Sequence, residues 1–130
     1  MGGLAAAVAA HVREYWAVQP QIVVVEPERA ACLQKSIKAE ALVSGDGPDS
    51  NMGRLDCKNA SKIAFESLRR DADVFVTISD AAASAATEKL AKYGIETTPS
   101  GAAGFAGLAL LSLSAEDRAM IIISEGPENG

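Results

Sequence analysis

Short runs of apolar residues mark the strands that this chain is predicted to form. The runs lie at residues 22–25, 74–78 and 120–123, and each is rich in Val or Ile with little polar alternation. A run of this kind is typical of a strand covered on both faces of a parallel sheet. A shorter apolar run at residues 41–43 is a candidate for one more strand.

Between these runs, apolar residues recur at helical spacing. The pattern predicts helices over residues 4–16, 27–37, 61–70, 81–93 and 99–113. Ser61 is placed to cap one of these helices, and either Ser79 or Asp80 to cap another. Gly94 is placed to end the latter helix.

The alternation of helices and strands predicts the fold class. It indicates an α/β fold, a three-layer unit in which helices cover both faces of a mainly parallel sheet. The 130 residues suffice for a single domain, 1–130, whose residues 127–130 form a tail. Residues 44–60 lack a clear period, and a loop of this length is expected to have a function or to lie at an interface.

Composition narrows the classes of protein. The formal net charge of -5 and the lack of a basic run argue against nucleic-acid binding. With one histidine, and cysteines at positions 32 and 57 only, the chain lacks the ligand spacing of a zinc site. No apolar stretch has the length of a membrane span. We therefore expect a reduced, cytoplasmic protein without a metal site.

Several polar segments are expected to meet at one edge of the sheet. Residues 26–27, 79–80 and 124–126 each follow a predicted strand. In parallel sheets, ligands bind beyond the carboxyl ends of the strands. The helix starts at Gly2-Gly3 and Ser100-Gly101 are candidates for the same edge.

The first residues allow two interpretations. Gly2 and Gly3 run directly into an Ala-rich apolar helix. Glycines before a helix let an anion approach the free N–H groups of its first turn. The pair therefore resembles the end of a phosphate-binding loop, but a lone pair of glycines is a weak signal. Taken alone, it favours a flexible start before an ordinary core helix.

Five stretches together resemble one family. The chain is similar to the second half of fold-type II pyridoxal-phosphate enzymes, the tryptophan synthase β / threonine dehydratase superfamily. Within that superfamily it most resembles the diaminopropionate ammonia-lyases, to which residues 53–58 point. The stretches that carry the resemblance are Gly-Gly-Leu-Ala-Ala-Ala-Val (2–8), Ile-Val-Val-Val-Glu-Pro (22–27), Gly-Arg-Leu-Asp-Cys-Lys (53–58), Thr-Pro-Ser-Gly-Ala-Ala-Gly (98–104) and Ile-Ser-Glu-Gly (123–126).

The resemblance implies roles for five residues. Gly2 and Gly3 would end the glycine-rich loop that holds the phosphate of pyridoxal 5'-phosphate. Ser100 and Gly101 would wall one side of the cofactor. Ser124 would place its hydroxyl against the pyridine nitrogen.

The chain also departs from the family pattern. Many relatives carry Glu where this chain has Thr98, and most of the glycine loop is missing. The resemblance implies that the lysine forming the Schiff base lies in an amino-terminal half that this sequence lacks. The lysines present lie in polar contexts and are expected to be solvated surface charges. We therefore expect a fragment with no catalytic residue of its own, inactive alone and binding the cofactor weakly or not at all.

The resemblance implies an ammonia-lyase activity for the parent enzyme. Its substrate would be a small amino acid such as 2,3-diaminopropionate, converted by α,β-elimination to a 2-oxo acid. Two alternatives stay open: a stand-alone module that binds a phosphorylated metabolite through Gly2-Gly3 and Ser124, and a non-catalytic partner subunit. Asp56 is an open candidate for acid–base chemistry. Uncovered sheet edges and apolar faces favour a homo-oligomer.

Overall fold

A computed structural model describes residues 1–128 of the chain. The regular elements are, in order, α1 (Gly3–Tyr15), β1 (Val23–Pro27), α2 (Cys32–Ala39), α3 (Lys62–Asp71), β2 (Val74–Ile78), α4 (Asp80–Lys92) and α5 (Pro99–Gly107). A short 3-10 helix over Glu28–Ala30 follows β1, and another over Leu108–Leu110 follows α5.

The two strands pair in parallel. Val23 is opposite Val74 at one end and Pro27 is opposite Ile78 at the other. Parallel neighbours need a crossover connection, which here contains α2 and α3. The predicted α/β class with parallel pairing is confirmed.

Helices cover both faces of this sheet, because successive side chains of β1 point to opposite sides. Val24 packs in a cluster with Ala9 of α1, Leu33 of α2 and Leu68 of α3. Val25 packs on the opposite face, against a cluster that contains residues of α4 and α5. The result is the predicted three-layer arrangement.

Two predicted strands are absent from the described residues. Neither residues 41–43 nor residues 120–123 form a ladder. The run 120–123 is only partly covered: Ile123 lies against the cluster of α4 and α5, whereas Met120 is 61% and Ile122 46% exposed. A short apolar run does not by itself identify a strand, and the sequence prediction was wrong here.

The helix predicted over residues 27–37 is divided. A 3-10 turn precedes α2, and the break lies at Ala31. The buried carboxylate of Glu26 accepts hydrogen bonds from the N–H groups of Leu33 (2.9 Å) and Gln34 (2.8 Å). A carboxylate in this place caps α2 and complements its dipole. Burial raises the pKa of Glu26, and these N–H donors oppose the rise.

Other helix ends follow the sequence signals more closely. Ser61 and Ser79 cap α3 and α4 with their side chains, and Gly94 follows α4 with φ 80°. α5 ends earlier than the predicted residue 113, at Gly107, where a Cβ would lie 2.6 Å from Val25. Of the predicted tail, residues 127–128 are exposed and residues 129–130 lie outside the described residues. Within residues 1–128, no helix combines the length and the apolar character that a membrane crossing requires.

Two apolar residues of α3 should contribute very differently to the free energy of unfolding. Leu68 has no exposed surface, whereas Ile63 is 83% exposed. Leu68→Ala should lower the free energy of unfolding by about 2–5 kcal/mol because it leaves a cavity. Ile63→Ala is the matched control and should change it by less than about 0.5 kcal/mol. Urea unfolding followed by circular dichroism measures both, and equal effects would contradict this core assignment.

Candidate functional site

A long loop crosses the carboxyl ends of the two strands. We call residues 44–60 the edge loop. Its Met52 is fully buried against Ile78 at the end of β2, Ala83 of α4 and Ala103 of α5. A loop without regular structure is thus fixed to the sheet by one large apolar side chain.

Asp80, the first residue of α4, ties the edge loop to the end of β2. Its carboxylate accepts hydrogen bonds from Ser50 Oγ (2.6 Å) and Asn51 N (3.0 Å). Arg29 Nη1 lies 3.4 Å away and forms an ion pair. Burial would raise the pKa of Asp80, but these donors and Arg29 outweigh it and the pKa is lowered. Asp80 is therefore an ionised anchor of the loop rather than a proton donor.

A second polar cluster lies at the amino-terminal end of α5. The Glu125 side chain is only 8% exposed, and its Oε1 accepts a hydrogen bond from Thr98 Oγ1 (2.8 Å). Thr97 Oγ1 donates to the Glu125 carbonyl (2.8 Å). Thr98 Oγ1 also accepts from Gly101 N (3.2 Å) and so caps α5. Two threonine hydroxyls therefore hold residue 125 at the start of the helix.

The edge loop reaches this cluster through Arg54. Its backbone N–H donates to Ser100 Oγ (3.1 Å), and its Nη1 lies 2.5 Å from Glu125 Oε2. That oxygen is buried and receives no hydrogen bond within the described part of the chain, so the contact is an ion pair without hydrogen-bond geometry. The Arg54 side chain is 64% exposed, so solvent screens this pair on one side.

Ser100, Gly101 and Ser124 belong to one neighbourhood. Gly101 is buried, and a Cβ there would lie 2.0 Å from Thr97 Oγ1 and 3.1 Å from Glu125 Cγ. Ser124 directly precedes Glu125 and is exposed. The structure thus brings the predicted residues around α5 and the 124–126 segment together.

Gly2 and Gly3 have different neighbours. Gly2 has φ 97°, and a Cβ there would lie 3.0 Å from Ala64 Cβ and 3.2 Å from Leu33 Cδ1. Its contacts are therefore with α2 and α3. Gly3 begins α1 and is exposed, and apart from its chain neighbours and the adjacent backbone of α1 no described atom lies within 4 Å of where its Cβ would be.

The lysines do not provide a buried amine. Among the described residues, each lysine is at least partly exposed. The expectation that all are solvated surface charges was wrong for Lys58. Its ammonium contacts Asp56 Oδ1 (2.5 Å), Arg29 O (2.8 Å) and Pro48 O (3.0 Å). The ion pair lowers the pKa of Asp56, which removes it as an acid near neutral pH.

Comparison with known families accounts for this arrangement. The profile described as "Pyridoxal-phosphate dependent enzyme" matches residues 1–125. The chain belongs to this family. The resemblance inferred from the five sequence stretches is confirmed at this level, and the members of the family use pyridoxal phosphate.

Solved structures share the fold. An L-serine ammonia-lyase from the fungus Rhizomucor miehei aligns with TM-score 0.82 and 24% identity, covering 96% of this chain and 42% of that one. A threonine deaminase from the organism abbreviated T.th. aligns with TM-score 0.76 and 24% identity, covering 84% and 40%. A processed threonine deaminase isoform 2 from Solanum lycopersicum aligns with TM-score 0.77 and 26% identity, covering 83% and 30%.

The chain is much shorter than the solved structures that it resembles. The chain spans between 30% and 42% of the solved structures that it resembles. Among curated protein sequences, no match was found.

The described residues fit parts of the family's cofactor. The first turn of α1 carries no acidic side chain, and its first intrahelical bond runs from Ala6 N to Gly2 O (2.9 Å). The N–H groups ahead of that bond, beside the open Gly3, suit a phosphate. The exposed hydroxyl of Ser124 suits a ring nitrogen. The amine that would hold the cofactor covalently has no counterpart among the described lysines, because such a lysine needs a desolvated pocket.

Sequence reasoning missed Thr97, Arg54 and the anchoring role of Lys58. A threonine directly before a Pro-Ser-Gly helix start is a capping signal, which identifies Thr98 but not Thr97. Arg54 and Lys58 lie within the stretch 53–58 that carries the resemblance. Their partners are far apart in sequence, so no local pattern indicates the contacts.

Two glycines of α5 provide a matched test of the cluster. Gly101→Ala would place its new methyl group 2.0 Å from Thr97 Oγ1, and the threonine side chain would have to move away from the Glu125 carbonyl. This variant should therefore be destabilised by about 1–3 kcal/mol. Gly104→Ala meets only Ile121 at 3.7 Å and should be neutral or stabilising. Thermal unfolding of both variants checks this. A Gly101→Ala protein as stable as Gly104→Ala would refute the packing at α5.

Proposed function

We propose that this chain forms part of a pyridoxal-phosphate dependent carbon–nitrogen lyase that releases ammonia from a small amino acid. The family match over residues 1–125 carries the proposal, and the ammonia-lyase and deaminase among its structural neighbours support it. The substrate we favour is 2,3-diaminopropionate, because residues 53–58 resemble the diaminopropionate ammonia-lyases.

In this proposal, the chain's own residues bind and orient. The first-turn N–H groups of α1, beginning at Gly3, donate to the phosphate. The Ser124 hydroxyl meets the ring nitrogen, while Ser100 and Gly101 wall one side. Thr97 and Thr98 position Ser124 indirectly, through the two oxygens of Glu125 that they contact.

The reaction requires chemistry from outside this set of residues. Pyridoxal phosphate supplies an electron sink for loss of the α-proton. That loss also needs a base. Elimination of the β-amino group releases one ammonia, and hydrolysis by one water then releases the α-amino group as a second ammonia and leaves a 2-oxo acid. Asp56 and Asp80 are poor bases, because hydrogen bonds from Lys58 and Ser50 occupy their carboxylates and their pKa values are lowered. We therefore propose that the 130 residues alone are inactive.

Inactivity of the isolated chain has a direct test. Purified chain is mixed with pyridoxal phosphate, reduced with borohydride and digested, and labelled lysines are mapped by mass spectrometry. We expect weak, scattered labelling of exposed lysines such as Lys62 and Lys89, and no ammonia from 2,3-diaminopropionate. Stoichiometric labelling of one lysine together with ammonia release would overturn the proposal of inactivity.

The substrate class is tested in the presence of a polypeptide that carries the cofactor-holding lysine. Ammonia release is then compared for 2,3-diaminopropionate, serine and threonine. A preference for the hydroxyamino acids would reject the favoured substrate while keeping the lyase class. Release from none of them would reject the lyase class itself.

We further propose a cytoplasmic homo-oligomer without nucleic-acid or membrane partners. Exposed apolar residues support self-association: Val18 is 84% exposed and Tyr93 73%. Both cysteines are free, which suits a reducing compartment. Multi-angle light scattering should give a mass of at least twice 13.4 kDa. A monomer at high concentration would contradict the proposed assembly.

A further inference from the structure

The ammonium of Lys58 lies within a set of three oxygens. We call Arg29 O, Pro48 O and Asp56 Oδ1 the oxygen cage. Their distances to Lys58 Nζ are 2.8, 3.0 and 2.5 Å. An ammonium has three N–H donors, and here all three find an acceptor. These three contacts thus occupy the Lys58 side-chain nitrogen completely.

The cage joins segments that are separate in sequence. Arg29 lies in the 3-10 turn after β1, whereas Pro48 and Asp56 belong to the edge loop. A backbone hydrogen bond from Gly45 N to Lys58 O (2.6 Å) joins two further parts of the edge loop beside the cage. At Gly47 a Cβ would lie 2.4 Å from Arg29 O, so only glycine allows this approach.

Without a cation, the cage would be unfavourable. The Asp56 side chain is only 16% exposed, and two carbonyl dipoles converge with it on the same point. Oxygen atoms so arranged repel one another unless a positive charge lies between them. Carboxylate and carbonyl oxygens are the ligands that hard cations take in proteins, and carbonyl oxygens replace the hydration shell of potassium in channels.

We propose that the oxygen cage is a monovalent-cation site whose resident cation is the tethered ammonium of Lys58. The single formal charge of the cage matches one positive charge. The edge loop is therefore ordered without a dissolved ion. A chain in which the ammonium is removed should bind free ammonium, or potassium of similar size, in its place.

The test is chemical rescue of Lys58→Ala. Its thermal midpoint should fall by about 5 °C in tetramethylammonium chloride, which is too large for the cage. Replacing that salt by ammonium chloride at constant ionic strength should raise the midpoint with the logarithm of ammonium concentration. The unmodified chain should show no such difference between the two salts.

Lys35→Ala is the matched control. It also removes a lysine paired with an aspartate, but the partner Asp46 is 89% exposed and no cage surrounds the ammonium. Ammonium should not rescue this variant. Rescue should also be lost in the double variant Lys58→Ala/Asp56→Asn, because the charged ligand of the cage is gone.

The outcomes separate clearly. Equal midpoints of Lys58→Ala in the two salts, or equal rescue of Lys35→Ala, would overturn the proposal. Rescue by millimolar calcium or magnesium but not by ammonium would overturn the monovalent assignment. If Lys58→Ala does not fold in tetramethylammonium chloride, its yield of refolded protein in ammonium chloride is measured instead, and no recovery there would also overturn it.

Discussion

Parallel pairing of β1 with β2 is the constraint on which the rest of the structure depends. It places Pro27 and Ile78 at the same edge, so the chain leaves both strands in the same direction. The polar residues at these strand ends, beginning with Glu26 in β1 and with Ser79 after β2, must therefore find their partners at that edge. Glu26 turns inward to cap α2, and Asp80 turns toward the edge loop.

The edge loop is held in one conformation because its polar groups are paired at several separate points. Asp80 holds Ser50 and Asn51, the oxygen cage holds Lys58, and Met52 fills the apolar space between. Backbone groups in an irregular segment must be satisfied by something other than a ladder. Here local backbone bonds within the loop and side chains such as Asp80 and Ser100 do this together. The same loop then presents Arg54 to α5, which links the order of the loop to the geometry around Ser100.

Most of the layered fold was accessible from sequence, whereas the contacts of the site were not. The runs at 22–25 and 74–78 and the caps at Ser61 and Ser79 are local signals, and the structure confirms them within one or two residues. The run at 120–123 has a similar composition but forms no ladder within the described residues, and Met120 and Ile122 in it are exposed. A short apolar run therefore does not by itself establish a strand. Glu26 and Lys58 find their partners through tertiary contacts, which no local pattern contains.

Position 98 has two structural roles in this chain. Thr98 Oγ1 donates to Glu125 Oε1 across 2.8 Å, so this hydrogen bond holds the buried carboxyl group at the start of α5. The acidic side chain there comes from the segment that carries Ser124 rather than from the helix itself. A hydroxyl at position 98 caps α5 as well, so one residue both begins the helix and orients the acid.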